Sequence, residues 1–84
     1  DDDITSVTCV SLYLDDLPKY IYNAKNLISL DCSWNKIVKF TDERIFENLL
    51  MLNCGFNQLQ YLPKKMNNLK ELYVNYNYLK NIDR

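Results

Sequence analysis

The stretch LLMLNCGFNQLQYLP, residues 49–63, decides the fold. Its apolar residues and its asparagine keep an unusual rhythm: Leu49, Leu52, Cys54, Asn57, Leu59 and Leu62. The steps alternate between three and two residues, which fits neither a helix of period 3.6 nor a long strand of period 2. Around Leu52 and Cys54 the chain alternates as a short strand does, with Met51 and Asn53 facing the other way. Asn57 then ends the strand, and Leu59 and Leu62 carry the chain back. A unit this small buries its apolar side only against copies of itself, so the rest of the chain should repeat it.

The repetition is present. Units starting at Ile4, Leu27, Leu49 and Leu69 bring six columns into line. The second column is Val7, Leu30, Leu52 and Leu72. The third is Cys9, Cys32, Cys54 and Val74, and the fourth is Leu12, Asn35, Asn57 and Asn77. The fifth is Leu14, Ile37, Leu59 and Leu79, and the sixth is Leu17, Phe40, Leu62 and Ile82. The starting residues lie 23, 22 and 20 positions apart. A second register for the first unit, through Val7, Val10, Leu12 and Leu17, removes Cys9 from its column and loses the match of Leu17-Pro18 to Leu62-Pro63. The first unit departs from the pattern at Leu12, as end units of an array often do.

The pattern L-x-x-L-x-C/V-x-x-N-x-L-x-x-L resembles the leucine-rich repeat signature, whose period runs from about 20 to 29 residues. The resemblance covers residues 4–82. It implies an α/β solenoid, a right-handed superhelix with a short parallel sheet on the concave side and a mostly irregular convex side. The whole chain, 1–84, reads as one such domain, with repeats at about 4–26, 27–48 and 49–68 and an incomplete one at 69–84. Strands of successive repeats should pair in parallel at about 4.8 Å. Leu30 and Cys32 should point into the core, and Ser29, Asp31 and Ser33 away from it. The resemblance gives Asn35, Asn57 and Asn77 a structural role: each turns inward and serves free backbone groups at the bend after its strand. An apolar residue at Asn57 should leave those groups unpaired.

The return segments differ in length. Leu62-Pro63 and the residues to Leu69 give L-P-x-x-M-x-x-L, similar to the short repeats of bacterial effector proteins. Pro63 suits the start of a helical or extended turn. The second return is longer, and Thr41 is expected to cap a short helix there, with Asp42 and Glu43 in its first turn. Little regular helix is expected elsewhere. Tyr20, Tyr22 and Tyr61 fall on the return side and should cover the core edge, while Lys64 and Lys65 form a solvated patch. Abundant Asn, Lys, Tyr and Ile resemble the repeats of giant viruses, AT-rich protists or bacteria. The array stops within its fourth repeat, as a fragment of a longer one would.

Composition narrows the function. At 84 residues, 48% hydrophobic and 25% charged, the chain is one ordinary globular domain. A net charge of -1 gives phosphates nothing to bind, so nucleic acid is not expected as a partner. The run Asp1, Asp2, Asp3 reads as a solvated end. No apolar run is long enough for a membrane span, and no signal peptide opens the chain, which points to an intracellular, cytoplasmic setting, host cytoplasm included. There is no histidine, which removes Ser-His and Cys-His nucleophile pairs and the usual metal ligand. Asp15-Asp16 and Asp42-Glu43 match no catalytic pair. No enzyme, cofactor or metal is expected.

Two columns remain as candidate sites. Ser11, Trp34, Phe56 and Tyr76 follow the strands, and three aromatics in register make a stripe suited to a protein interface. Asp31, Met51, Asn53 and Tyr73 lie beside them on the strand face, as do Glu71 and Asn75. The competing reading is that these rings pack on one another to protect a thin sheet. The cysteines Cys9, Cys32 and Cys54 should stack one strand apart, facing the core. Their spacing fits no zinc pattern, and neighbours in a parallel ladder orient poorly for a disulfide, so they read as small buried hydrophobes. The expected function is a protein-binding module that uses the concave face. The alternative is a structural protein that self-associates through open sheet edges at its end repeats.

Overall fold

The computed structural model describes residues 3–80. Asp1, Asp2 and the sixth-column residue Ile82 lie outside them. Four three-residue strands, β1 (Ser6–Thr8), β2 (Ser29–Asp31), β3 (Met51–Asn53) and β4 (Glu71–Tyr73), form one parallel sheet in chain order. Val7, Leu30, Leu52 and Leu72 lie abreast, so the column read from the sequence is a physical row. The ladder continues just past the strands. Cys9 N donates to Asp31 O at 2.8 Å, Cys32 N to Asn53 O at 2.8 Å and Cys54 N to Tyr73 O at 2.9 Å.

One face of the sheet carries the core. Leu30, Cys32, Leu52 and Cys54 are sealed beneath it with Leu27, Ile37, Leu49 and Leu59. The layer thins toward β4: Leu72 is 40% exposed, whereas Leu30 and Leu52 are 0%. Leu69, Val74 and Leu79 are half-buried.

The connections run behind the core. Between β1 and β2 a single helical turn, α1 (Lys19–Tyr22), starts after Pro18 and buries Ile21. Proline suits the edge of a helix because its missing N–H leaves no intrahelical bond unmade there. Between β2 and β3 a 3₁₀ turn, Arg44–Glu47, buries Ile45 and Phe46. No helix among the described residues is long and apolar enough to cross a membrane.

Two local expectations need correction. Thr41 caps no helix. Its hydroxyl donates to Asp16 Oδ2 at 2.7 Å and its backbone N–H to Tyr22 Oη at 3.1 Å. Asp42 sits at the turn instead, accepting from Arg44 N and gripping the Arg44 guanidinium, which holds its carboxyl down to about 2. Second, Tyr22 is half-buried, but Tyr20 and Tyr61 are 57% and 60% exposed and do not close the core edge. Ser33 lies on the side away from the core, as alternation requires. It is buried, with its Oγ folded onto Asp31 Oδ1 at 2.8 Å.

Tyr22 ties two return segments together. Its hydroxyl donates to Asp16 Oδ1 and accepts from Thr41 N. Burial first, and then the bond to Asp16, push its pKa upward. Tyr22→Phe removes both bonds and should cost about 1–2 kcal/mol, read as a lower urea midpoint with an unchanged m-value. A midpoint equal to wild type would mean the hydroxyl is held by geometry alone.

Candidate functional site

The face of the sheet opposite the core carries Ser6 and Thr8, Ser29 and Asp31, Met51 and Asn53, Glu71 and Tyr73. This follows from strand alternation, since Val7, Leu30, Leu52 and Leu72 face the other way. Asp31, Met51 and Asn53 are half-buried, and Tyr73 is 50% exposed. Two of these residues shape the strand ends. Asp31 Oδ1 accepts Ser33 N at 3.1 Å and Asn53 Oδ1 accepts Gly55 N at 3.1 Å, matching local turns that let the chain leave the sheet.

Beyond these turns the backbone enters the left-handed region. Ser11, Trp34, Phe56 and Tyr76 have φ of 60°, 59°, 56° and 62°. Non-glycine residues rarely sit there, and each costs on the order of 1–3 kcal/mol unless its surroundings hold it. Two kinds of contact hold these. Trp34 N donates to Gly55 O at 3.0 Å and Phe56 N to Asn75 O at 2.8 Å. The rings also stack: Trp34 on Phe56 with centroids 3.8 Å apart and planes 7° from parallel, and Phe56 on Tyr76 at 4.5 Å and 16°. Each contact adds about 0.5–1.5 kcal/mol. The rings therefore pack on one another and are also open to solvent: Trp34 is 55% and Tyr76 73% exposed. The stripe read from the sequence is a three-ring stack.

Beside the stack a shallow cavity of about 190 Å³ opens between Trp34 and Phe56 on one side and Asn53, Tyr73 and Asn75 on the other. Its floor is Ser33 and Gly55. A side chain at Gly55 would bring a Cβ within 3.3 Å of Asn75 O and 3.4 Å of Asn53 Oδ1, so the small residue keeps the floor low.

The asparagine ladder lies directly behind the stack. Asn35 Nδ2 donates to Cys9 O, Cys32 O and Ser33 O, and its Oδ1 accepts Leu12 N and Leu14 N. Asn57 Nδ2 donates to Cys32 O, Cys54 O and Gly55 O, and its Oδ1 accepts Ile37 N. Asn77 Nδ2 donates to Cys54 O and Val74 O, and its Oδ1 accepts Leu59 N. Each amide bridges its own strand end and the previous one. This network fixes the bend on which each ring is mounted.

The thiols of Cys9, Cys32 and Cys54 are free and buried. Burial is the main force raising all three pKa values, Cys54 to about 12. No group of three or more His, Cys, Asp or Glu among the described residues is placed to hold a metal. A raised folded pKa fixes the pH dependence. Below the unfolded thiol pKa near 9 the stabilisation is fully present, and it is lost as pH rises through the folded values. The urea midpoint should therefore fall progressively above about pH 9. A Cys32→Ala, Cys54→Ala double variant should show a shallower fall, and an identical one would remove the thiols as its cause.

A second concavity lies at the β4 end, a groove of about 1090 Å³ against Phe40, Leu62, Met66, Leu69, Leu72 and Leu79. It borders the core layer beside β4, and none of the residues expected to bind a partner lines it. The positive φ of the ring-bearing residues had no sequence signal, because Gly or Asn is the usual tenant of that conformation. The low floor at Gly55 had one, since this is the only glycine in the chain. The chain matches no protein-family model, no curated protein and no solved structure.

Proposed function

We propose that this chain is a leucine-rich repeat solenoid segment that binds another protein, without catalysis, on the strand face and its ring stack. One observation carries the reading: Trp34, Phe56 and Tyr76 are held in a costly left-handed conformation, and the two outer rings, Trp34 and Tyr76, remain exposed. Sheet stability alone needs no large exposed rings there, because Ser11 makes the same bend in the first repeat without one. Large rings, rigid on a hydrogen-bonded scaffold, are the usual anchors of protein interfaces. An intracellular setting is part of this proposal.

The test separates binding from folding. Trp34→Ser and Phe56→Ser should weaken partner binding by about 2 kcal/mol or more each while the far-ultraviolet dichroism stays that of the parent. Unchanged binding to a captured partner by both variants would rule out the stack as the contact.

A second reading, self-association into an assembly, has its own support. Cys9 N, Cys32 N and Cys54 N each donate to the following strand, and the same-column Val74 N has no partner among the described residues. A second copy would offer Thr8 O to it, in the column of Asp31 O, Asn53 O and Tyr73 O. Open parallel edges template such pairing. Molar mass by light scattering decides: a constant 10.0 kDa leaves binding as the function, and a mass climbing with concentration favours assembly.

A further inference from the structure

The ring stack and the charges beside it share one pattern. Phe56 has both faces covered, by Trp34 and by Tyr76. Trp34 and Tyr76 each keep one face open: the next place beyond Trp34 is held by Ser11, and no ring stacks on the outer side of Tyr76 among the described residues. The segments that build this surface are residues 6–11, 29–34, 51–56 and 71–76. They contain no lysine or arginine, although the chain has ten, and their only charges are Asp31 and Glu71. Asp31 belongs to the repeat that carries Trp34, and Glu71 to the repeat that carries Tyr76. The middle repeat, whose ring has no free face, presents Met51 and Asn53 and no charge. Asp31 uses Oδ1 on Ser33, and its Oδ2 has no hydrogen-bond partner among the described residues.

Open aromatic faces are electron-rich and attract cations, most strongly at tryptophan. Uncompensated carboxylates on the same surface attract them too, and steer their approach. We infer that the strand face accepts an arginine-bearing peptide segment, with one guanidinium stacked on the open face of Trp34 and countered by Asp31. A second cation sits on the open face of Tyr76, drawn by the field of the same surface, to which Glu71 at the start of β4 contributes. This rests on the protein-binding reading and names the chemistry of its partner. Arginine fits better than lysine because its planar guanidinium stacks on the ring and can still fork to a carboxylate. Single-stranded nucleic acid also stacks on aromatics, but its backbone needs a basic groove that this surface lacks.

Trp34 is the only tryptophan, so its fluorescence reports the site directly. The full chain is titrated with three heptapeptides of alternating glycine and arginine, glutamate or leucine, and with oligothymidylate. The arginine peptide is expected to change Trp34 emission saturably and to lose affinity as salt is raised. By calorimetry, Asp31→Asn and Glu71→Gln should each weaken it about threefold, and Trp34→Leu about fivefold. Asp31→Asn keeps the Oδ1 acceptor for Ser33, so the bend survives the charge removal. Absence of saturable arginine-peptide binding overturns the inference, as does an affinity untouched by the Asp31→Asn, Glu71→Gln pair. Trp34-dependent binding of the leucine peptide alone overturns the cation and leaves the protein-binding reading standing. Preference for oligothymidylate overturns both.

Discussion

Asn57→Leu is expected to cost about 2–4 kcal/mol, a large part of the roughly 4–12 kcal/mol available to a domain of this size. The loss is not a count of the four hydrogen bonds that vanish. Cys32 O keeps a donor in Asn35, Cys54 O keeps one in Asn77, and Gly55 O keeps Trp34 N. The bridging habit of the ladder supplies each carbonyl twice. Ile37 N has no such reserve among the described residues: it donates to Asn57 Oδ1, and Ile37 is fully buried. One orphaned buried amide and a strained bend set the cost. The sequence expectation that an apolar residue would strand all of these groups is therefore too severe. Asn57→Asp makes the sharper test. It keeps an acceptor for Ile37 N but turns a carboxylate oxygen toward three carbonyls. Its pKa in the folded state should rise above the unfolded value near 4, so its stability is highest below that pH and is lost as pH rises. Chemical denaturation at pH 7 and at low pH reads both effects. An Asn57→Asp chain as stable as wild type at pH 7 would mean that the asparagine amide donates nothing of consequence.

The same ladder shows what the sequence made legible. The rows of equivalent residues followed from spacing, because stacked units must place them side by side; the parallel sheet and the inward-turned asparagines came with the resemblance to leucine-rich repeats. The ring stack followed from the same rule applied to Trp34, Phe56 and Tyr76. The exposure of Leu72 did not follow, since spacing assigns a residue to a column and says nothing of whether another layer covers it. Nor did the role of Thr41. A threonine before two acidic residues is a good local cap, but Asp16 and Tyr22, roughly twenty residues earlier in the chain, compete for the same polar groups and win. Local rules lose where a distant partner offers a better bond.

Phe46 is the second such case, and removing its ring should have the larger effect. It belongs to none of the six columns; it stands three residues before Leu49, where the other two returns carry Ala24 and Met66. Yet it heads the fully buried side chains by volume and packs against Phe40 with ring centroids 4.7 Å apart and planes at 53°. The second return, which joins β2 to β3, thus brings a large aromatic residue into the core where the other returns bring Ala24 and Met66. Phe46→Ala should cost about 3–5 kcal/mol, from lost transfer free energy and from a cavity that a hydrogen-bonded ladder leaves little freedom to collapse. At about 4–8 °C per kcal/mol the midpoint should fall by 12 °C or more, roughly, leaving a chain close to the limit of folding. Phe46→Leu keeps most of the volume and should cost about 1–1.5 kcal/mol. The ordering separates two accounts of the second return. If it is a filler of the core, stability tracks buried volume through Leu to Ala. If it is a spacer between strands, both variants melt within a few degrees of the parent, and the core then rests on the six columns alone.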